Sequence, residues 1–100
     1  MLPTHRIPTH PGVILLEEFL EPLEIPQTLL AERIHVSVQR VNEIVKGKRG
    51  ITADTAVRLA EFLRTSPEFW MNLQTHYDLK MAKLNLKPED AKRIKAVRAA

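Results

Sequence analysis

The stretch HVSVQRVNEIVKGKRG, residues 35–50, gathers the side chains best suited to chemistry. Gln39, Arg40, Asn42 and Glu43 alternate with Val38, Val41, Ile44 and Val45; Lys46, Lys48 and Arg49 follow around Gly47. At about 100° per residue, the four apolar side chains fall on one side of a helix. Gln39, Glu43 and Lys46 point the other way, flanked by Arg40 and Asn42. Gln and Asn can pair bidentately with adenine and Arg with guanine, whereas Lys and Arg meet phosphates without reading sequence. The pattern describes a short helix with an apolar back and a front addressed to DNA. Ser37, Gln39, Arg40 and Glu43 are the candidate base readers. Asn42, Lys46, Lys48 and Arg49 are candidate phosphate contacts, joined by Gln27 and Thr28 at the start of the preceding helix, where free backbone N–H groups favour an anion. Arg40 falls at the third helical position, where the helix dipole disfavours a cation; that placement hints at a ligand, although Arg is also a good surface helix former.

Such a front needs a scaffold, and the flanking sequence supplies an all-α one. Pro3, Pro8 and Pro11 make residues 1–11 an extended arm. From Val13, the spacing Val13, Leu16, Phe19, Leu20 predicts a helix that Pro22 ends. A second helix is expected from about Gln27 to Ile34, burying Leu30, Ala31 and Ile34. The third spans about Ser37 to Lys46, with Ser37 as N-cap and Gly47 just past its end. Thr52 caps a fourth, built on Ala56, Leu59, Ala60 and Leu63. Ser66–Pro67 starts a fifth that carries Phe69, Trp70, Leu73 and Tyr77. A short charged helix is expected in KPEDAKRIKAV, around Ile94 and Val97. No alternating strand pattern and no internal repeat stands out.

The second and third helices, QTLLAERI-HV-SVQRVNEIVKG, have the spacing of a helix-turn-helix. That unit needs a small residue where the helices cross (Ala31) and apolar locks at Ile34, Val41 and Ile44. Charge follows the same plan. Residues 37–49 carry four bases and one acid, and residues 80–100 seven bases and two acids; residues 1–36 carry five acids and two bases. Basic charge gathered in two stretches suits a polyanion. The 100 residues suit one domain, with 44% apolar residues for a modest core. The absence of cysteine excludes disulfides and fits a reducing cytoplasm. No run is long and apolar enough for a membrane span, and MLPTHRIPTHPG lacks the apolar stretch of a signal peptide. A cytoplasmic protein is expected.

The helix pair resembles the phage-repressor (Cro/C1, or XRE) type of helix-turn-helix, in which Gln opens the first helix and Ala follows four residues later, as Gln27 and Ala31 do. More narrowly, HPGVILLEEFLEPLEI, VNEIVKGKRGIT and SPEFWMNLQ together resemble the HigA family of antitoxins, over roughly residues 9–80. One departure is His35, where repressors often place Gly; His tolerates left-handed backbone better than most residues. The resemblance implies a five-helix lambda-repressor-like domain with a possible short extra C-terminal helix. The expected organisation is an arm (1–11), a DNA-binding and dimerisation domain (12–84) and a basic tail (85–100). It also implies a homodimer that binds a palindromic operator, represses its own operon and neutralises a HigB-like mRNA interferase toxin, completing a type II toxin–antitoxin module.

Other readings compete at particular residues. Phe69, Trp70, Leu73 and Tyr77 suit either plain core or a dimer seam. Glu17, Glu18, Glu21 and Glu24 suit either a solvated face or a surface facing a basic toxin. His5, His10, His35 and His76 lie on different elements without metal-ligand spacing, so neither a metal nor a catalytic site is expected, and no cofactor. An enzyme is not expected. A stand-alone repressor without a toxin partner is the main rival; a pure protein-binding inhibitor is disfavoured by the polar front of 39–46.

Overall fold

The computed structural model describes residues 7–97; most of the expected N-terminal arm and the last three residues lie outside that range. Helix α1 (Pro11–Ile14) opens with Pro11 in its first turn, and His10 caps it, Nδ1 accepting from the Gly12 N–H at 2.9 Å. The chain continues without a break into a π-helical segment, Leu15–Leu20. There the Glu21 N–H reaches back five residues to the Leu16 carbonyl at 2.9 Å. The wide turn lies just before Pro22, which has no N–H with which to continue a regular ladder.

Helices α2 (Gln27–Ile34), α3 (Val38–Val45), α4 (Ala53–Leu63) and α5 (Pro67–Asn85) follow. Their starts obey local chemistry. Ser37 Oγ accepts from the Arg40 N–H at 3.1 Å, Thr52 Oγ1 from the Thr55 N–H at 3.4 Å and Ser66 Oγ from the Phe69 N–H at 3.1 Å. Their ends use the left-handed region: His35 (φ 60°) closes α2, Arg64 (φ 58°) closes α4, and Gly47 (φ 76°) lies just beyond α3. A final short helix, α6, spans Pro88–Arg93 and buries none of its residues. It stops before Ile94 and Val97, around which it was expected. Both are exposed, so no apolar contact extends the helix to them.

The core is one cluster that includes Leu15, Leu20, Leu30, Ala31, Ile34, Val41, Ile44, Leu59 and Trp70. Trp70 is fully buried, and its indole N–H donates to Thr65 Oγ1 at 2.7 Å. Its ring meets Phe19 at 5.2 Å and Phe69 at 4.9 Å between centroids, binding the first helix to α5. Each such pair adds roughly 0.5–1.5 kcal/mol beyond area burial. Trp70 is thus core within one chain, one of the two roles its stripe allowed. Leu73 packs against the core, and Tyr77 is half-buried with its ring edge-on to His10 at 4.8 Å. Of the four aromatic-stripe candidates, Phe69 alone is exposed, and it too packs on Phe19 and Trp70. Past Tyr77, α5 leaves the core: Leu79, Leu84 and Leu86 are exposed, and the described residues extend over 53 × 31 × 25 Å.

Candidate nucleic-acid interface

Helices α2 and α3 pack through Ala31, Ile34, Val41 and Ile44, all buried, and the turn His35–Ser37 joins them. His35 takes the left-handed conformation that the turn requires, its N–H reaching the Glu32 carbonyl at 3.3 Å. The opposite face of α3 is open. Gln39, Lys46, Lys48 and Arg49 are exposed, whereas Arg40, Asn42 and Glu43 are half-buried. Val38, placed by spacing on the apolar back, is 45% exposed. It is the first residue of the helix and projects before the crossing with α2 begins, leaving a methyl-bearing side chain beside the polar front.

The polar groups are pre-arranged by one another. Glu43 accepts from Arg49 Nε at 2.8 Å and from Gln39 Nε2 at 3.3 Å. Hydrogen bonding from Arg49, then from Gln39, holds the Glu43 carboxyl below the usual carboxylate range, so it stays ionised. Asn42 Nδ2 donates to Gln27 Oε1 at 3.1 Å. This contact ties α3 to the start of α2 and leaves the Gln27 amide N–H₂ available to a phosphate. Thr28 beside it is exposed. Arg40 lies 3.6 Å from Asp54, in the first turn of α4. The acid on the neighbouring helix answers the local electrostatics that made Arg40 look out of place. Asp54 also accepts from Arg58 Nε at 3.0 Å, and Arg58 donates to the carbonyls of Ile34 at 2.8 Å and His35 at 3.3 Å. The Arg58 guanidinium thereby satisfies helix-end carbonyls at the turn that aims α3.

The far end of α3 is held by contacts that sequence spacing missed. A Cβ on Gly12 would lie 1.8 Å from the Ile44 carbonyl oxygen, so only glycine lets the first helix touch the backbone of α3. Beyond α3, the Ile51 N–H donates to Gln74 Oε1 at 2.7 Å, and Gln74 Nε2 donates to Asp78 at 2.9 Å. Gln74 is 8% exposed, and the space a Gly50 side chain would fill is taken by its amide. The Asp54–Arg58 pair was readable as an i, i+4 spacing. Nothing local marks the reach of Gln74 across 23 residues. Glu17, Glu18, Glu21 and Glu24 are all exposed along and just beyond the first helix, away from these ties. Among the described residues, no three His, Cys, Asp or Glu side chains converge as a metal site would require, and no helix is long and apolar enough to cross a membrane.

Residues 16–70 match the helix-turn-helix family. Virulence-associated protein I of Dichelobacter nodosus is 53% identical over 73% of this chain and 68% of its own length. Antitoxin HigA-1 of Vibrio cholerae is 40% identical over 79% of this chain and 74% of its own. The structure of the Pseudomonas aeruginosa antitoxin HigA with the higBA promoter superposes with a TM-score of 0.85 at 42% identity, covering 91% of this chain and 99% of that one. Matched motif, fold and open recognition face converge, and the chain belongs to the HigA family of helix-turn-helix proteins.

Proposed function

We propose that this chain is the antitoxin of a type II toxin–antitoxin module: it represses its own operon by sequence-specific DNA binding and neutralises a HigB-like mRNA interferase. The observation that carries the reading is the open face of α3. Gln39, Arg40 and Glu43 stand there beside the Ser37 cap to meet base edges, whereas Gln27, Thr28, Asn42, Lys46, Lys48 and Arg49 ring it to meet phosphates. The likeness to an antitoxin bound to its promoter supports the same use of the same face. On this reading the chain acts as a homodimer on operator DNA in the cytoplasm, catalyses no reaction and needs no cofactor. Residues 12–84 form the DNA-binding and dimerisation unit. The exposed acids Glu17, Glu18, Glu21 and Glu24 complement a cationic RNA-cleaving toxin and mainly speed its association.

The test is a growth-rescue assay run beside a promoter-repression assay. Arg40→Ala is expected to lose repression and keep rescue, because the two surfaces differ. Reversing Glu17, Glu18 and Glu21 should slow toxin association and make it more salt-sensitive while repression persists. If no neighbouring gene product is toxic or binds, the chain is a stand-alone repressor. If a folded Arg40→Ala chain lost both activities, the two functions would share a surface.

A further inference from the structure

We propose that Val38 is a base-reading residue: its γ-methyl groups meet the 5-methyl group of one thymine in each half of the operator. This inference rests on the operator-binding reading and deepens it, because it names a base that α3 requires. Val38 is 45% exposed, and among the described residues it is the only exposed large apolar side chain between Leu23 and Val57. The other valines around it behave differently: Val36 and Val45 pack against the core, and Val41 is buried. At about 100° per residue, Val38 stands about a quarter-turn from the centre of the face that Val41 and Ile44 bury. It lies one turn before Asn42 on the same flank, at the border of the polar front. Ser37, Val38 and Gln39 are three exposed residues in a row at the start of α3. The first residues of the second helix are the ones that a helix-turn-helix presents to base edges.

The fold gains little from a valine at this place. A β-branched side chain loses rotamer freedom in a helix, and an exposed alanine would serve the helix better. The polar groups beside it are engaged within the chain: Ser37 Oγ with the Arg40 N–H, Arg40 with Asp54, and Gln39 with Glu43. Each of them must exchange an existing contact for a base. Val38 gives up no hydrogen bond and releases only water. In the major groove, the apolar group that the four bases offer is the C5-methyl of thymine; guanine, adenine and cytosine present donors and acceptors. Two methyl-bearing groups brought together exclude water from both. A cytosine in the same place would set Val38 against a polar amino edge and deprive that edge of a hydrogen-bond partner. The side chain therefore selects thymine by what it attracts and by what it cannot satisfy.

The test uses the full chain and a duplex spanning the promoter of its own operon. Each thymine, together with its symmetry mate in the other half-site, is replaced in turn by deoxyuridine. Uracil pairs with adenine as thymine does and lacks only the methyl. At one such pair of positions, the loss of both methyls is expected to weaken binding of the native chain about tenfold. Val38→Ala should bind the unmodified duplex with a loss of similar size and should melt no lower than the native chain. It should be indifferent to deoxyuridine at that one pair of positions. A change in duplex shape caused by the missing methyls would weaken both chains alike, so only a direct contact makes the two losses non-additive. If the native and Val38→Ala chains responded equally to deoxyuridine at every position, the proposal would be overturned. Selective binding of the promoter over competitor DNA by the native chain would then leave the operator reading standing. A native chain that bound promoter and competitor equally would overturn both.

Discussion

The two ends of α3 are held in opposite ways. At the N-terminal end the contacts are exposed and charged: the Ser37 hydroxyl caps the helix, and Arg40 leans on Asp54 at 3.6 Å. At the C-terminal end they are steric and buried: Gly12 presses on the Ile44 carbonyl, and the Ile51 N–H rests on Gln74. Exposed ion pairs are worth about 0–1 kcal/mol and are screened by salt, so the first end exchanges partners at little cost. The second end cannot loosen without opening packed core or stranding a buried N–H. The helix is thus placed by one end, and on the proposed function it meets base edges with the other.

Substitutions at the fixed end should cost most. Gly12→Ala drives a methyl into the backbone of α3 and is expected to destabilise the fold by about 3 kcal/mol, read by denaturant unfolding. Gln74→Leu keeps the bulk but leaves the Ile51 N–H without its acceptor, at a cost of about 1–3 kcal/mol. A melt of either variant equal to that of the native chain would remove the distinction between the ends.

His10 sharpens the comparison through pH. Burial, opposed by the smaller attraction of Asp78, holds its pKa below the ordinary 6.5. The neutral ring is favoured in the folded chain, where Nδ1 accepts from the Gly12 N–H. Its contribution is therefore complete above pH 6.5 and is lost as pH falls through the lower folded value. The loss should be about 1 kcal/mol, the worth of a helix cap. His10→Asn, which caps without titrating, should flatten that part of the stability profile; an unchanged profile would assign the acid loss to another group.

The smallest expected effect belongs to the exposed, charged end. Asp54→Asn should cost less than about 1 kcal/mol of stability. By releasing Arg40 it should raise affinity for random DNA and narrow the margin in favour of the operator, as competition titrations would reveal. A variant with an unchanged margin would mean that Asp54 does not position Arg40.

The division between what the sequence displayed and what it hid follows the same line. Local chemistry was legible: Ser37, Thr52 and Ser66 as caps, Pro11 in a first turn, Gly47 past α3, and the four apolar locks of the helix-turn-helix. The caps and turn residues depend on neighbours within four residues, and the locks on the spacing of two adjacent helices. The buried side of α5 was legible as a stripe but not as core, because periodicity orients a face without saying what covers it. Phe19 covers it, from about fifty residues away in sequence. Gly12 carried no signal of its own in the sequence, since its reason is a carbonyl on another helix. Arg40 read as electrostatically exposed because Asp54, its compensating acid, belongs to the next helix. The π-helical turn before Pro22 and the left-handed Arg64 were likewise unmarked, both residues being of types that such turns do not select.

The account stands most directly on whether the open face of α3 reads sequence. A gel-shift titration of native and Arg40→Ala chains against the operator, with and without excess competitor DNA, measures that. The folded variant is expected to lose about 1–3 kcal/mol of discrimination, roughly 5- to 150-fold, while its affinity for competitor DNA changes far less. A folded Arg40→Ala chain that discriminates operator from competitor as well as the native chain does would contradict it.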